Sequence, residues 1–345
     1  MAGYRNTFLQ LFRIPGALLP TRWLASWSGQ SFIVPLYHTV SDEKPEHIRH
    51  LYSVKSRRQF EADLDFLLKN YRPIGAPELE KLIQEGTLPK HNSFLLTFDD
   101  GLREFHDLIA PLLLQKGIQA ICFLNSDFVD NKDLFFRYKA SLLIGALERQ
   151  QQLLKSEAVK EWFLQYAPAR NAGFRQTLLS ISYQNRSALD ELAKLVDLDF
   201  SRFLTEHQPY LSSDQINALK NRGFCFGAHS CDHPEYRFLS LEEQVRQTKT
   251  SVTDICTRFA LPYRTFAFPF TDYGVSTAFF QNLYEQEPRV NLSFGCAGMK
   301  QDQYPQHIQR IPFEAGNLSA REVLNNEYLY YLLKALAGRN SIRRT

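Results

Sequence analysis

The chain has 345 residues, a formal charge of +3, 44% hydrophobic and 22% charged residues, enough for one large α/β domain or two ordinary ones. This composition argues against a disordered chain, and the small, dispersed charge argues against a nucleic-acid partner. Five cysteines without a Cys-x-x-Cys pair argue against a disulfide framework and a cysteine zinc site, so reduced thiols in a cytoplasmic protein are expected.

Residues 1–30 read as an amphipathic lead-in. Residues 1–41 hold no Asp or Glu, but Arg5, Arg13, Arg22, Trp23 and Trp27 lie among scattered apolar side chains, and Pro15 and Pro20 break the stretch. No apolar run reaches the ~7–15 residues of a signal core or the length of a spanning helix. Two readings stay open: a lead-in helix packed on the domain, and peripheral contact with the inner face of a membrane.

Short apolar runs then recur at Phe32–Leu36, Phe94–Phe98, Ala120–Leu124, Phe224–Gly227, Thr265–Phe268, Leu292–Phe294 and Ile308–Ile311, as buried parallel strands should. Helical patterns separate them. Phe60, Leu64, Leu67 and Leu68 follow Ser56; Leu108, Leu112 and Leu113 precede Gly117; Ser240-x-x-Glu243 reads as a capping box; Glu322 to Leu336 forms the last helix. The alternation predicts an α/β fold, a (β/α) barrel of about seven parallel strands, over residues 31–130 and 211–337. An open doubly wound sheet is the alternative. Residues 131–210 lack a strand pattern and read as a helical insertion too long for an ordinary connection. Residues 338–345 form a basic tail.

Two constellations carry chemistry. Leu95-Leu96-Thr97-Phe98 runs straight into Asp99-Asp100-Gly101. Adjacent carboxylates at the end of a buried strand repel and resist desolvation, and a bound cation offsets that cost. Gly227-Ala228-His229-Ser230-Cys231-Asp232-His233-Pro234 also follows an apolar strand. Two imidazoles four residues apart can meet one ion, with Asp232 placed to tune one of them. Strand C-termini of a parallel barrel share one face. One carboxylate and two histidines then make a three-ligand site with open positions, and the other carboxylate is free to act as a base.

The pair Thr97-Phe98-Asp99-Asp100-Gly101 and His229-Ser230-x-x-His233-Pro234 resembles the first two motifs of the NodB-homology polysaccharide deacetylases (carbohydrate esterase family four), over roughly residues 31–125 and 211–315. Leu36-Tyr37-His38 and Ser56 to Tyr71 are similar to the subgroup that acts on exopolysaccharides. The resemblance implies a deformed (β/α) barrel and a hydrolase that removes acetyl groups from an N-acetylated sugar in a polysaccharide or glycan precursor. It implies a divalent metal, zinc first, with cobalt, nickel or other divalent ions also accepted, held by Asp100, His229 and His233. Asp99 is then the general base, and the backbone N–H of Phe270 in Pro269-Phe270 stabilises the oxyanion. The family's arginine before that pair is replaced by Ala267, which leaves Arg264 or Arg310 to approach Asp99. The family's late Leu-x-His acid motif is not recognisable: His307 precedes its strand, so His38, just after the first strand, is the expected acid, with Glu314, just after the last, second.

Two rivals stand. Two histidines and a carboxylate also serve non-haem iron oxygenases. A glycan-binding or assembly protein without catalysis would use the same scaffold. The partner expected is a carbohydrate in either the deacetylase or the binding reading.

Overall fold

Alternation within the strands builds the barrel. All of Ala120–Leu124 is buried, but Ile121 and Phe123 join one apolar cluster while Ala120, Cys122 and Leu124 join another. A strand's period of two sends the first set into the barrel and the second toward the helices around it. The inward cluster also takes Val34, Leu95, Cys225, Ala267, Leu292 and Phe294.

The computed structural model describes residues 19–89, 91–169, 171–314 and 318–345; most of the lead-in predicted over residues 1–30 lies outside them. The main sheet contains β1 (Pro35–Tyr37), β2 (Leu96–Phe98), β3 (Ala120–Leu124), β4 (Cys225–Ala228), β5 (Thr265–Ala267), β6 (Leu292–Gly295), β7 (His307–Gln309) and β8 (Ile311–Pro312). All pairings are parallel, in the order β7-β6-β5-β4-β3-β2-β1-β8. Only Arg310 separates β7 from β8. One segment therefore pairs with β6 through its first half and with β1 through its second, closing a ring of seven staves.

Three predicted strands are divided. Ile308–Ile311 breaks at Arg310, whose backbone N–H and Nε both donate to the Gly295 carbonyl, at 3.2 and 3.1 Å. Phe32–Leu36 and Phe94–Phe98 each split in two. Phe32–Ile33 and Ser93–Phe94 pair in a small sheet with Arg72–Pro73, and only the following residues join the barrel. Pro35, without an N–H to continue the first ladder, stands at one of these breaks.

The helices that matter below are α1 (Thr21–Ser28), α2 (Arg57–Asn70), α3 (Phe136–Arg149), α4 (Leu241–Arg258) and α5 (Ala320–Leu336). Ser56 and Gln59 form a full capping box on α2. At α4 the predicted box is half made: Ser240 accepts from the Glu243 N–H, but the Glu243 carboxylate turns to Arg246 at 2.6 Å. Five helices, α3 with Glu157–Tyr166, Phe174–Ser180, Ser187–Leu195 and Phe200–His207, fill the predicted insertion between β3 and β4. They enclose a separate apolar core around Leu143, Leu147, Leu178, Leu189 and Leu192, tied to the barrel through Leu102 and Tyr210. The basic tail is docked rather than free. Ser341–Ile342 pairs with Gln301–Asp302, and the buried side chain of Arg344 reaches Asp272 and Asp302.

Candidate active site

The inward parity of four staves ends in the residues that matter. Continuing Leu36, Thr97, Gly227 and Ile308 by two positions gives His38, Asp99, His229 and Arg310 at the C-terminal mouth of the barrel. Close packing beneath demands small residues. A Cβ on Gly227 would lie 2.3 Å from Thr265 Oγ1 and 2.7 Å from the Phe123 ring, and one on Gly101 would lie 2.6 Å from Leu124 Cδ2. Beyond the strands the backbone turns sharply. Asp100, Ser230, His233 and Phe270 all take positive φ, at 71°, 68°, 63° and 56°. Left-handed conformations in residues with a Cβ are costly, and their clustering here marks a functional site.

Asp99 and Asp100 leave β2 in different directions. Asp99, 3% exposed, receives a bidentate pair of hydrogen bonds from Arg310 Nη1 and Nη2 at 2.6 and 2.8 Å. Burial pulls its carboxyl upward, but Arg310, then His229 and His38, outweigh that and hold it below the usual carboxylate range. Asp100 Oδ2 accepts from Tyr138 Oη at 2.8 Å, while its buried Oδ1 accepts no hydrogen bond. Burial again raises the carboxyl, and His233, His38 and His229 drive it far below the ordinary range.

The histidines present nitrogen toward that orphaned oxygen. His229 Nδ1 donates to the Ala267 carbonyl at 2.8 Å, which leaves the Nε2 lone pair facing inward, 3.7 Å from both Asp100 Oδ1 and Asp99 Oδ2. His233 Nε2 lies 3.2 Å from Asp100 Oδ1. Burial, opposed by Asp99, lowers the pKa of His229 to about 4, so it is a neutral imidazole at neutral pH. Asp100, His229 and His233 offer ligand atoms that all lie within 4.8 Å of one another. Ligands ~2.1 Å from a tetrahedral ion stand ~3.4 Å apart, so this set fits a divalent cation. The lone Oδ1, with no protein donor, is the atom that such an ion would satisfy.

His38 and Glu314 form a second pair at the mouth. The Glu314 carboxylate accepts from the backbone N–H groups of His38 and Thr39 at 2.9 and 3.0 Å and holds His38 Nδ1 at 2.6 Å. Burial depresses the imidazole, but Glu314, then Asp100 and Asp99, raise its pKa to about 9. His38 is therefore an imidazolium at neutral pH and suits the acid role; Glu314, fully engaged, orients it.

A cavity of about 520 Å³ joins these groups, lined by His38, Asp99, Asp100, His233, Phe270 and Arg310 among others. The Phe270 ring packs 4.7 Å from His233. One expectation needs correction, and two open points are resolved. Asp232 tunes neither imidazole: its carboxylate accepts from Tyr183 Oη at 2.6 and 2.8 Å and from Gln247 Nε2 at 2.8 Å. Of the two arginines considered for Asp99, Arg310 reaches it. Arg264 sits at the opposite end of β5, with its backbone N–H on Asn291. His307 is bound to Ser293 at 2.6 Å and Asp272 at 3.1 Å and does not line the cavity. Sequence reasoning missed Tyr138. Its position within an amphipathic helix of the insertion gives it the appearance of a core residue.

Comparison with known proteins agrees with the geometry. Residues 182–285, which include His229, His233 and the Pro269-Phe270 pair, match the family described as polysaccharide deacetylase. No curated protein matches the chain in sequence. Among solved structures, a Streptococcus pyogenes deacetylase, PplD, in complex with acetate superposes with a TM-score of 0.53 at 13% identity, over 86% of this chain and 97% of that one. IcaB from Ammonifex degensii gives 0.52 at 15% identity, over the same shares. At such identities the likeness is one of fold. The matched segment, the barrel and the paired Asp-Asp and His-x-x-x-His motifs together support a hydrolase similar to the NodB-homology polysaccharide deacetylases.

Proposed function

We propose that the protein is a metal-dependent N-deacetylase acting on an N-acetylated sugar within a polysaccharide or glycan precursor. One observation carries this reading: Asp100, His229 and His233 converge on a shared point beside Asp99, a second carboxylate outside the ligand set. Asp100, His229 and His233 would hold the ion, zinc by the chemistry of the donors, which polarises the acetyl carbonyl and acidifies a bound water when present.

The protein's own groups do the rest. Asp99, kept ionised and immobile by Arg310, takes a proton from the attacking water. The Phe270 backbone N–H, turned by its positive φ, is the candidate donor to the oxyanion. His38, protonated and aimed by Glu314, gives its proton to the departing amine. The iron oxygenase alternative has no support in a fold and family of hydrolases. A purely binding role gives no use to a buried carboxylate clamped beside a metal-ligand set.

The reading extends to location. No described helix is long and apolar enough to cross a membrane. Helix α1 nevertheless buries Leu24 and Ala25 while leaving Trp23 and Trp27 49% and 62% exposed beside Arg22. Exposed tryptophans in a stretch that carries three arginines and no acid suit an anionic bilayer surface.

The test is acetate release from a panel of N-acetylhexosamine glycans, with chelator and after zinc is restored. Activity that chelator abolishes and zinc returns, and that Asp99→Asn lacks, is the expected result. Metal bound stoichiometrically with no acetate released from any glycan would favour the binding role.

A further inference from the structure

The cavity above the barrel mouth has an outer wall that the proposed chemistry does not use. Leu51, Tyr52, Phe135, Arg137 and Leu179 form much of it. Phe135 and Arg137 come from the start of α3 and Leu179 from the helix Phe174–Ser180, so this part of the wall belongs to the insertion. Most of it is apolar. Arg137 is the exception.

Every other charged group at the mouth has a counterpart. Asp99 meets Arg310, Glu314 meets His38, and Asp100 belongs to the ligand set. Arg137 has no carboxylate within 4.0 Å among the described residues. One amino group, Nη1, donates to the Leu179 carbonyl, and the guanidinium lies over the Phe136 ring, 4.9 Å from its centre. Glu235, the acid whose charge acts on it, is taken by Arg237 at 2.7 Å. Burial lowers the guanidinium pKa, the mark of a cation that desolvation disfavours. Its position adds to the cost, since a cation in the first turn of a helix opposes the macrodipole, and the first turn of α3 holds no acid. Lys139, two residues on, shows the ordinary structural solution: it is paired with both Asp133 and Asp190, at 3.3 and 3.0 Å. A half-buried arginine with no anion, pinned by one nitrogen so that its remaining donors are held in place at the cavity, is arranged for an anion that arrives with the substrate.

We propose that Arg137 determines substrate specificity by binding an anionic group carried beside the N-acetylated sugar, a phosphate ester or a uronic carboxylate. The substrate is then an acidic glycan or a glycosyl phosphate in preference to a neutral N-acetylhexosamine polymer. The inference rests on the deacetylase reading and names its substrate class.

The test compares acetate release by the zinc-loaded full chain from N-acetylglucosamine 1-phosphate, from a disaccharide of N-acetylglucosamine and glucuronic acid, and from the neutral methyl glycoside. The wild type should favour at least one acidic substrate by about ten- to hundredfold in kcat/KM, the range of a charge-assisted contact. That ratio should fall toward one in Arg137→Gln and keep an intermediate value in Arg137→Lys. The larger preference, for phosphate or for uronate, identifies the source of the anion. A wild type that favours the neutral glycoside, or a ratio that survives Arg137→Gln, overturns the proposal. If Arg137→Gln fails to fold, the Arg137→Lys ratio decides: a ratio equal to wild type overturns the proposal, and a reduced one supports it. Acetate released from none of the three overturns the deacetylase reading instead. Calorimetric binding of the 1-phosphate and of free N-acetylglucosamine to the wild type and Arg137→Gln then tests Arg137 alone. Equal affinity for the two sugars in the wild type refutes the anion site, and a preference lost in the variant supports it.

Discussion

Arg310→Met removes one side of a buried ion pair and leaves the other. Arg310 is fully buried and Asp99 is 3% exposed, and two hydrogen bonds at 2.6 and 2.8 Å join them. Methionine matches much of the alkyl stem but gives the Asp99 carboxylate no partner in its place. Orphaning one member of a buried pair costs about 3–5 kcal/mol. For a chain of 345 residues the unfolding entropy is about 0.7 kcal/mol/K, so the melting midpoint should fall by about 4–7 °C. Asp99 must also ionise without its guanidinium, so its pKa rises and acetate release at neutral pH collapses. The double variant Asp99→Leu with Arg310→Met removes both charges. It should recover most of the lost stability, because a buried pair replaced by apolar groups is near neutral, yet it should release no acetate. Differential scanning calorimetry on the wild type, both single variants and the double variant, with acetate assays on each, provides the cycle. The sign of the pH dependence is also fixed. Asp99 is held below its unfolded pKa, so its contribution is present above that value, near ~3.9, and is lost as pH falls through the lower folded value. The wild type should show this acid loss, and Arg310→Met should not. An Arg310→Met protein that melts within a degree of the wild type, with a double variant no more stable than the single, would refute the reasoning.

Four further outcomes follow from the geometry. The His38 imidazole titrates at about 9, so acetate release should fall as pH rises through that value. His38→Gln should lose most activity and the alkaline limb with it; a limb that stays in place would remove His38 from the acid role. The stabilisation from its pairing with Glu314 should be complete below ~6.5 and lost as pH rises through about 9, readable as a melting midpoint that declines over that interval. Tyr138→Phe deletes the donor to Asp100 Oδ2, and zinc affinity should drop by about ten- to hundredfold in a chelator competition, with the fold intact by circular dichroism. Trp23→Ser with Trp27→Ser should weaken co-sedimentation with vesicles containing anionic lipid while leaving acetate release from a soluble substrate unaltered. Wild-type protein that ignores such vesicles would remove the membrane proposal.

Much was legible in the sequence because the barrel writes its strands as short apolar runs and ends them with chemistry. Thr97-Phe98-Asp99-Asp100 and Gly227-Ala228-His229 each place a functional residue two positions past an inward-facing one, and the period of two is a property of any strand. The helical insertion was legible for the same kind of reason, as a long stretch whose apolar residues never fall into a strand's alternation.

What tertiary structure decided are the partners. His38 and Glu314 are 276 residues apart and Asp99 and Arg310 are 211 apart. Nothing in local spacing joins them; they meet only because the segment holding Arg310 closes the ring between β6 and β1. The break at Arg310 was invisible as well, since its carbonyl partner, Gly295, lies on the neighbouring strand. Tyr138 and Arg137 look like ordinary helix residues until the insertion folds over the mouth, and Asp232 looks like a ligand's neighbour until Tyr183 and Gln247 are found to hold its carboxylate. Strand and helix periods are set by covalent geometry and can be read along the chain. The pairing of charges across a barrel depends on ring closure, which is a property of the whole fold.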